Sequence, residues 1–172
     1  MTVRRTVRKG GFTLVEILIV VIILGILAAI VIPQFTSASQ DARKNSLTSQ
    51  LQTIRSQLEL YKLQHLDKLP STLIGSSPDW SQFIQKSDNT GTTGTATSLP
   101  FGPYLQSAPI NSLNGKTDVL VVTADQTLGA AVSGGSGKGF VLNSNDGKIW
   151  ATSTLFGYIF DESNTSNSNN DN

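Results

Sequence analysis

From Phe12 to Phe35 the chain reads FTLVEILIVVIILGILAAIVIPQF, with Glu16 as its only charge. As a helix these residues rise about 36 Å at ~1.5 Å each, enough to cross a hydrocarbon core roughly 30 Å thick. A helix that is apolar on every side has to be surrounded by lipid or by other apolar surface. The eleven residues before it contain Arg4, Arg5, Arg8 and Lys9 and no acid, so the rest of the chain carries more acid than base. A basic flank followed by a long apolar run marks a segment made for a membrane.

A cleaved secretory signal calls for a shorter apolar centre followed by small residues in an A-x-A-like pattern. Here the small pair Ala28-Ala29 is followed by Ile30, Val31 and Ile32. Gly10-Gly11 instead offers an unhindered backbone to a protease before the apolar run. An ionised carboxylate in lipid costs a few kcal/mol, so Glu16 marks a functional position. Composition removes other classes of function. The 172 residues contain no Cys, hence no disulfide framework, thiolate metal site or cysteine nucleophile, and the redox compartment is not readable. Thirteen scattered Lys and Arg at a net charge of +1 form no dedicated nucleic-acid surface, so no direct nucleic-acid partner is expected. With His65 the single histidine, no Ser-His-Asp set, paired carboxylates or cofactor fingerprint can be assembled, and no enzyme activity is expected. GGSGKG at 134–139 lacks the phosphate-loop spacing, since Gly139 follows Lys138, and reads as a flexible loop between strands.

The stretch KGGFTLVEILIVVIILGILAAIVIPQF resembles the N-terminal class III signal of type IV pilins and type II secretion pseudopilins, most closely the major pseudopilin. The resemblance is strongest over residues 10–64. It implies cleavage between Gly11 and Phe12 by a prepilin peptidase, N-methylation of Phe12, and an acidic assembly position at Glu16. It also implies a single-pass inner-membrane precursor with its C-terminal part in the periplasm, later assembled into a pseudopilus. The implied partners are the prepilin peptidase, other copies of the chain, minor pseudopilins, the inner-membrane assembly platform and, before assembly, lipid.

After such a cleavage the new α-amino group at Phe12 lies four residues from Glu16, at a spacing where opposite charges meet on a helix. A neighbouring copy's amino terminus could equally take the carboxylate, which in an apolar bundle rewards correct register. The alternative is a Glu16 lying at the headgroup level. Gly25 and Pro33 weaken the helix, Gly25 by about 1 kcal/mol relative to Ala and Pro33 by removing a backbone hydrogen bond. A break between them is expected, and the resemblance implies the same in filaments; Pro33 can also simply mark the exit from the bilayer.

Beyond the leader (1–11) and the apolar helix (12–35), an amphipathic half is expected over 36–69. Leu47, Leu51, Ile54, Leu58 and Tyr61 share one face. The helix is expected to end by about Leu66, with Pro70 forbidding its continuation, and His65 is expected near its C-terminus as a cation or surface residue. Residues 70–117 read as a connector, with WSQFI at 80–84 packing on the helix and the polar stretch 88–98 an exposed loop. Within it Gly102, Tyr104, Leu105, Pro109 and Asn111 resemble the loop before the sheet in major pseudopilins, with Ser112 where proline is common. Strands are expected at 118–124, 139–143 and 148–152 within a sheet region over 118–162, the last two joined by a tight turn at Asp146-Gly147. The tail, 163–172, reads as disordered.

The expected fold is therefore α+β and pilin-like, a long N-terminal helix packed by its second half on a small antiparallel sheet. The resemblance admits a structural calcium ion, for which Asn111, Asn114, Asp118 and Asp125 are the available ligands. No spacing among them matches a dedicated calcium loop, so no metal ligand and no cofactor is assigned. The expected function is a structural pseudopilin subunit of a type II secretion system. The alternatives are a type IV pilin of a surface pilus for adhesion, motility or DNA uptake, and a monomeric membrane-anchored periplasmic binding module.

Overall fold

A computed structural model describes residues 11–95, 98–153 and 157–162. The expected basic leader up to residue 10 and the expected disordered tail lie outside them. Helix α1 spans Leu14–Gln64, followed by α2 at Ser81–Ile84 and five strands: β1 Lys86–Ser87, β2 Thr93–Gly94, β3 Val119–Val122, β4 Phe140–Asn143 and β5 Ile149–Ala151. The chain forms two compact units, the first ending at Ser39 and the second beginning at Gln40.

In the second unit the apolar stripe of α1 does what its spacing predicts. Leu47, Leu51, Ile54, Leu58 and Tyr61 are each at most 1% exposed. They share one core with Trp80 and Phe83 of the connector and with Phe140, Leu142 and Ile149 of the sheet. Burying side chains of this size contributes about 1.5–3 kcal/mol each. The helix stops at Gln64, within two residues of the expected end, and is closed before Pro70 is reached. Leu66 and Asp67 adopt left-handed φ angles of 56° and 61°, and the Asp67 amide turns back to the Lys62 carbonyl at 2.8 Å, which closes the end in the manner of a Schellman motif.

His65 departs from expectation, because it is not a surface residue. It is 2% exposed and stacks on Tyr61 with ring centres 3.7 Å apart. Its Nδ1 lies 2.8 Å from the Tyr61 carbonyl oxygen and its Nε2 3.0 Å from Ser87 Oγ. An aromatic surface formed by Tyr61, Phe101 and Tyr104 accounts for this, since all three rings contact the imidazole.

The connector is more ordered than its composition suggests. Trp80 donates its indole N–H to the Thr117 carbonyl at 2.8 Å, and Gln82 donates to the Gly91 carbonyl at 2.7 Å. The stretch 88–98, expected as a plain loop, contributes Thr93 and Gly94 to an antiparallel pair, Lys86 opposite Gly94 and Ser87 opposite Thr93. Its turn is organised by Asp88, whose carboxylate accepts from the Thr90 hydroxyl and from the Thr90 and Thr92 amides at 2.6, 2.9 and 3.0 Å.

The main sheet has the order β3-β4-β5, each strand within a residue or two of its expected place. The fold is α+β as expected, but the sheet is mixed, not uniformly antiparallel. β4 and β5 form the antiparallel hairpin, while β3 runs parallel to β4 with Val119 opposite Phe140. A parallel return needs a dozen or more residues, and residues 123–139 supply them. This glycine-rich return is not slack. Gly129 and Val132 donate to the Ile159 and Gly157 carbonyls at 2.9 and 3.0 Å, and Ile159 donates to Ala130 at 2.8 Å. Gly157 has φ +68°, and a Cβ there would lie 2.8 Å from Gly135 Cα, so the two backbones meet with room for hydrogen alone.

Candidate functional site on the apolar helix

The first unit carries the apolar segment expected from sequence. Every large apolar side chain from Phe12 to Phe35 is at least half exposed, from 50% at Leu18 to 84% at Phe12. By length and composition this part of α1 can cross a membrane. Exposure of that density of Ile, Leu and Val requires an apolar surround.

Gly11, Phe12 and Glu16 lie together at the start of the helix. Gly11 is exposed, and among the described residues nothing lies within 4 Å of where a side chain would project. In this uncut chain the Phe12 nitrogen is a peptide amide, and the expected pair between an α-amino group and Glu16 has no cation to form it. The carboxylate is instead engaged by Thr13. The Thr13 amide and hydroxyl both donate to Glu16 Oε2 at 2.8 Å, and the Glu16 amide donates to Thr13 Oγ1 at 3.2 Å. This is a capping box, in which the residue before the helix and the one three later satisfy each other's amides. Thr13 is a site residue that the sequence reading missed, although the signal was there: Thr-x-x-Glu immediately before an apolar run.

Gly25 and Pro33 lie far from that turn, and the expected helix break between them is not present. α1 continues through both. Pro33 removes only one amide from the ladder, the one that would donate to the Ala29 carbonyl. Thr36 Oγ1 donates to the Ile32 carbonyl and Ser37 Oγ to the Pro33 carbonyl, both at 3.2 Å. Hydroxyl groups that fold back in this way share carbonyls that the helix amides already use, and do not replace the bond lost at Ala29.

The four residues considered for calcium are spread over the sheet loops of the second unit and do not form a carboxylate cluster. Asn111 is fully buried, Asp118 is exposed, and Asp125 pairs with Lys148 and accepts from Asn143. Among the described residues no three His, Cys, Asp or Glu side chains converge.

Comparison with known proteins adds to this geometry. A family model for the prokaryotic N-terminal methylation motif matches residues 7–32. The type II secretion system core protein G of Dickeya chrysanthemi is 40% identical over 65 residues, 38% of this chain and 42% of that protein. Its counterpart in Pseudomonas aeruginosa is 43% identical over 68 residues, 40% of this chain and 47% of that protein. The one in Escherichia coli is 36% identical over 62 residues, covering 36% and 43%. The chain thus matches less than half the length of these curated relatives. No solved structure matches it.

Proposed function

From an N-terminal segment of the prepilin type, we propose that this chain is a pseudopilin, a structural subunit of a type II secretion system. It is made as an inner-membrane precursor with its C-terminal unit in the periplasm. Prepilin peptidase cuts it between Gly11 and Phe12 and methylates the new amino terminus, and it then joins other copies and minor pseudopilins in a periplasmic filament on the assembly platform. The subunit does no chemistry. The observation that carries this reading is the coincidence of an exposed Gly11 with a helix whose apolar side chains are exposed all round up to Phe35. Similarity to core proteins of type II secretion supports the secretion reading over a surface pilus.

Glu16 gives the assembly its register. Cleavage turns Phe12 into a cationic terminus one helical turn away, and a carboxylate moving from lipid into a bundle of like helices is stable there when it meets such a terminus, its own or a neighbour's. On assembly the segment between Gly25 and Pro33, already short of one amide, is where the helix melts. Glu16→Ala tests the first point in cells that carry the complete secretion system. The variant is expected to be cleaved normally yet absent from sheared filaments. Filament incorporation equal to the parent chain would remove Glu16 from assembly, and a parent chain that is never found in filaments would favour a monomeric anchor.

A further inference from the structure

Asn111 and Asn114 tie together three stretches of the second unit that are distant in sequence. Asn111 donates from Nδ2 to the carbonyls of Gly139 at 2.8 Å and Thr152 at 2.7 Å. Asn114 donates from Nδ2 to the Lys138 carbonyl and to Thr152 Oγ1, both at 2.9 Å, and reaches the Ser153 carbonyl at 3.5 Å. Thr152 Oγ1 in turn donates to the Lys138 carbonyl. Each amide oxygen is used locally, Asn111 Oδ1 by the Leu113 amide at 2.9 Å and Asn114 Oδ1 by the Lys116 amide at 3.0 Å. This fixes both side chains, with oxygen toward the backbone N–H behind and NH2 toward the carbonyls in front.

Peptide carbonyls and hydroxyls gathered from separate loops are the donors a calcium ion takes, about six to eight oxygens with carboxylates among them. Here their lone pairs face N–H protons, which compete with a cation for the same positions. Among the described residues no three His, Cys, Asp or Glu side chains converge here to neutralise an ion, and Asp125 is engaged by Lys148 and Asn143. A divalent ion stripped of water among neutral groups already hydrogen-bonded is not compensated. The residues therefore do not fit the calcium ion that the pilin-like resemblance admits. We infer that the two asparagine amides replace a divalent cation as the cross-link between the 111–114 turn, the start of β4 and the end of β5, and that the second unit folds and keeps its shape without metal.

The test uses full-length protein in detergent and follows unfolding by tryptophan fluorescence, since Trp80 and Trp150 both lie in the second unit. A ligand bound only by the native state raises the unfolding midpoint with its concentration. The midpoint is expected to be the same in EGTA as in excess calcium chloride. Asn111→Ala is expected to lower it by several degrees in both buffers, as a loss of about this size does in a domain of this length. Asn114→Ala, at a half-buried position, is expected to do so to a smaller extent and remains informative if the Asn111 variant does not fold. A midpoint that falls in EGTA, or rises with calcium in the parent chain, would overturn the inference. So would equilibrium dialysis that finds one tightly held calcium ion per chain.

Discussion

Arg55 reaches from the middle of α1 to two distant parts of the chain. Its Nε and Nη2 donate to the Ile149 carbonyl at 3.2 and 2.8 Å, and its Nη1 and Nη2 grip Glu162 at 2.9 and 2.6 Å. The forked guanidinium is shaped for such bidentate contact. Arg55→Ala leaves the Ile149 carbonyl and the Glu162 carboxylate without these donors, so a loss of about 1–3 kcal/mol is expected in denaturant unfolding. Glu162→Gln is expected to cost less, because the carbonyl bonds stay. The turn at Asp88 gives a pH prediction. The Thr90 hydroxyl, then the Thr92 and Thr90 amides, hold its carboxyl below the ordinary aspartate value of 3.8. A depressed folded value adds stability that is complete above the unfolded one and is lost as pH falls through the folded one. The unfolding midpoint is thus expected to fall as pH drops below 3.8, and Asp88→Asn is expected to flatten that acid limb. Legibility divides at this scale. The stripe from Leu47 to Tyr61 was readable because its meaning lies in local spacing. The Arg55 clamp and the burial of His65 were not, because their partners stand 107 and 22 residues away.

Elements followed local chemistry where local chemistry decides. The strands fell close to their expected places because β-branched and aromatic runs fit a half-buried pleat. The hairpin between β4 and β5 closes at Gly147, with φ +81° and its amide 2.9 Å from the Asn143 carbonyl. A Cβ at Gly147 would lie 2.7 Å from Leu69 Cδ2. Gly147→Ala is therefore expected to destabilise by at least about 1–2 kcal/mol, the cost of a left-handed L-residue, measured as a lower midpoint with an unchanged denaturant slope. The parallel pairing of β3 with β4 could not be read from sequence, since strand direction is set by where the long return packs. That packing depends on the close approach of Gly135 and Gly157, not on any local pattern. The uninterrupted α1 has a similar lesson. A proline predicts one missing bond, and the helix continues through it.

At the scale of the whole molecule, the chain couples two units with opposite needs. The second buries its apolar residues and satisfies its loops with side-chain amides. The first presents an apolar helix that no part of the described chain covers. A helix exposed in this way needs lipid or other apolar surface around it. The most direct test of this account is the intact mass and N-terminal sequence of the protein extracted from membranes of cells with and without prepilin peptidase. The account predicts a chain beginning at N-methylated Phe12 when the peptidase is present, and the uncut precursor when it is absent. A chain that stays uncut in the presence of the peptidase, or is cut after Ala29, would contradict it.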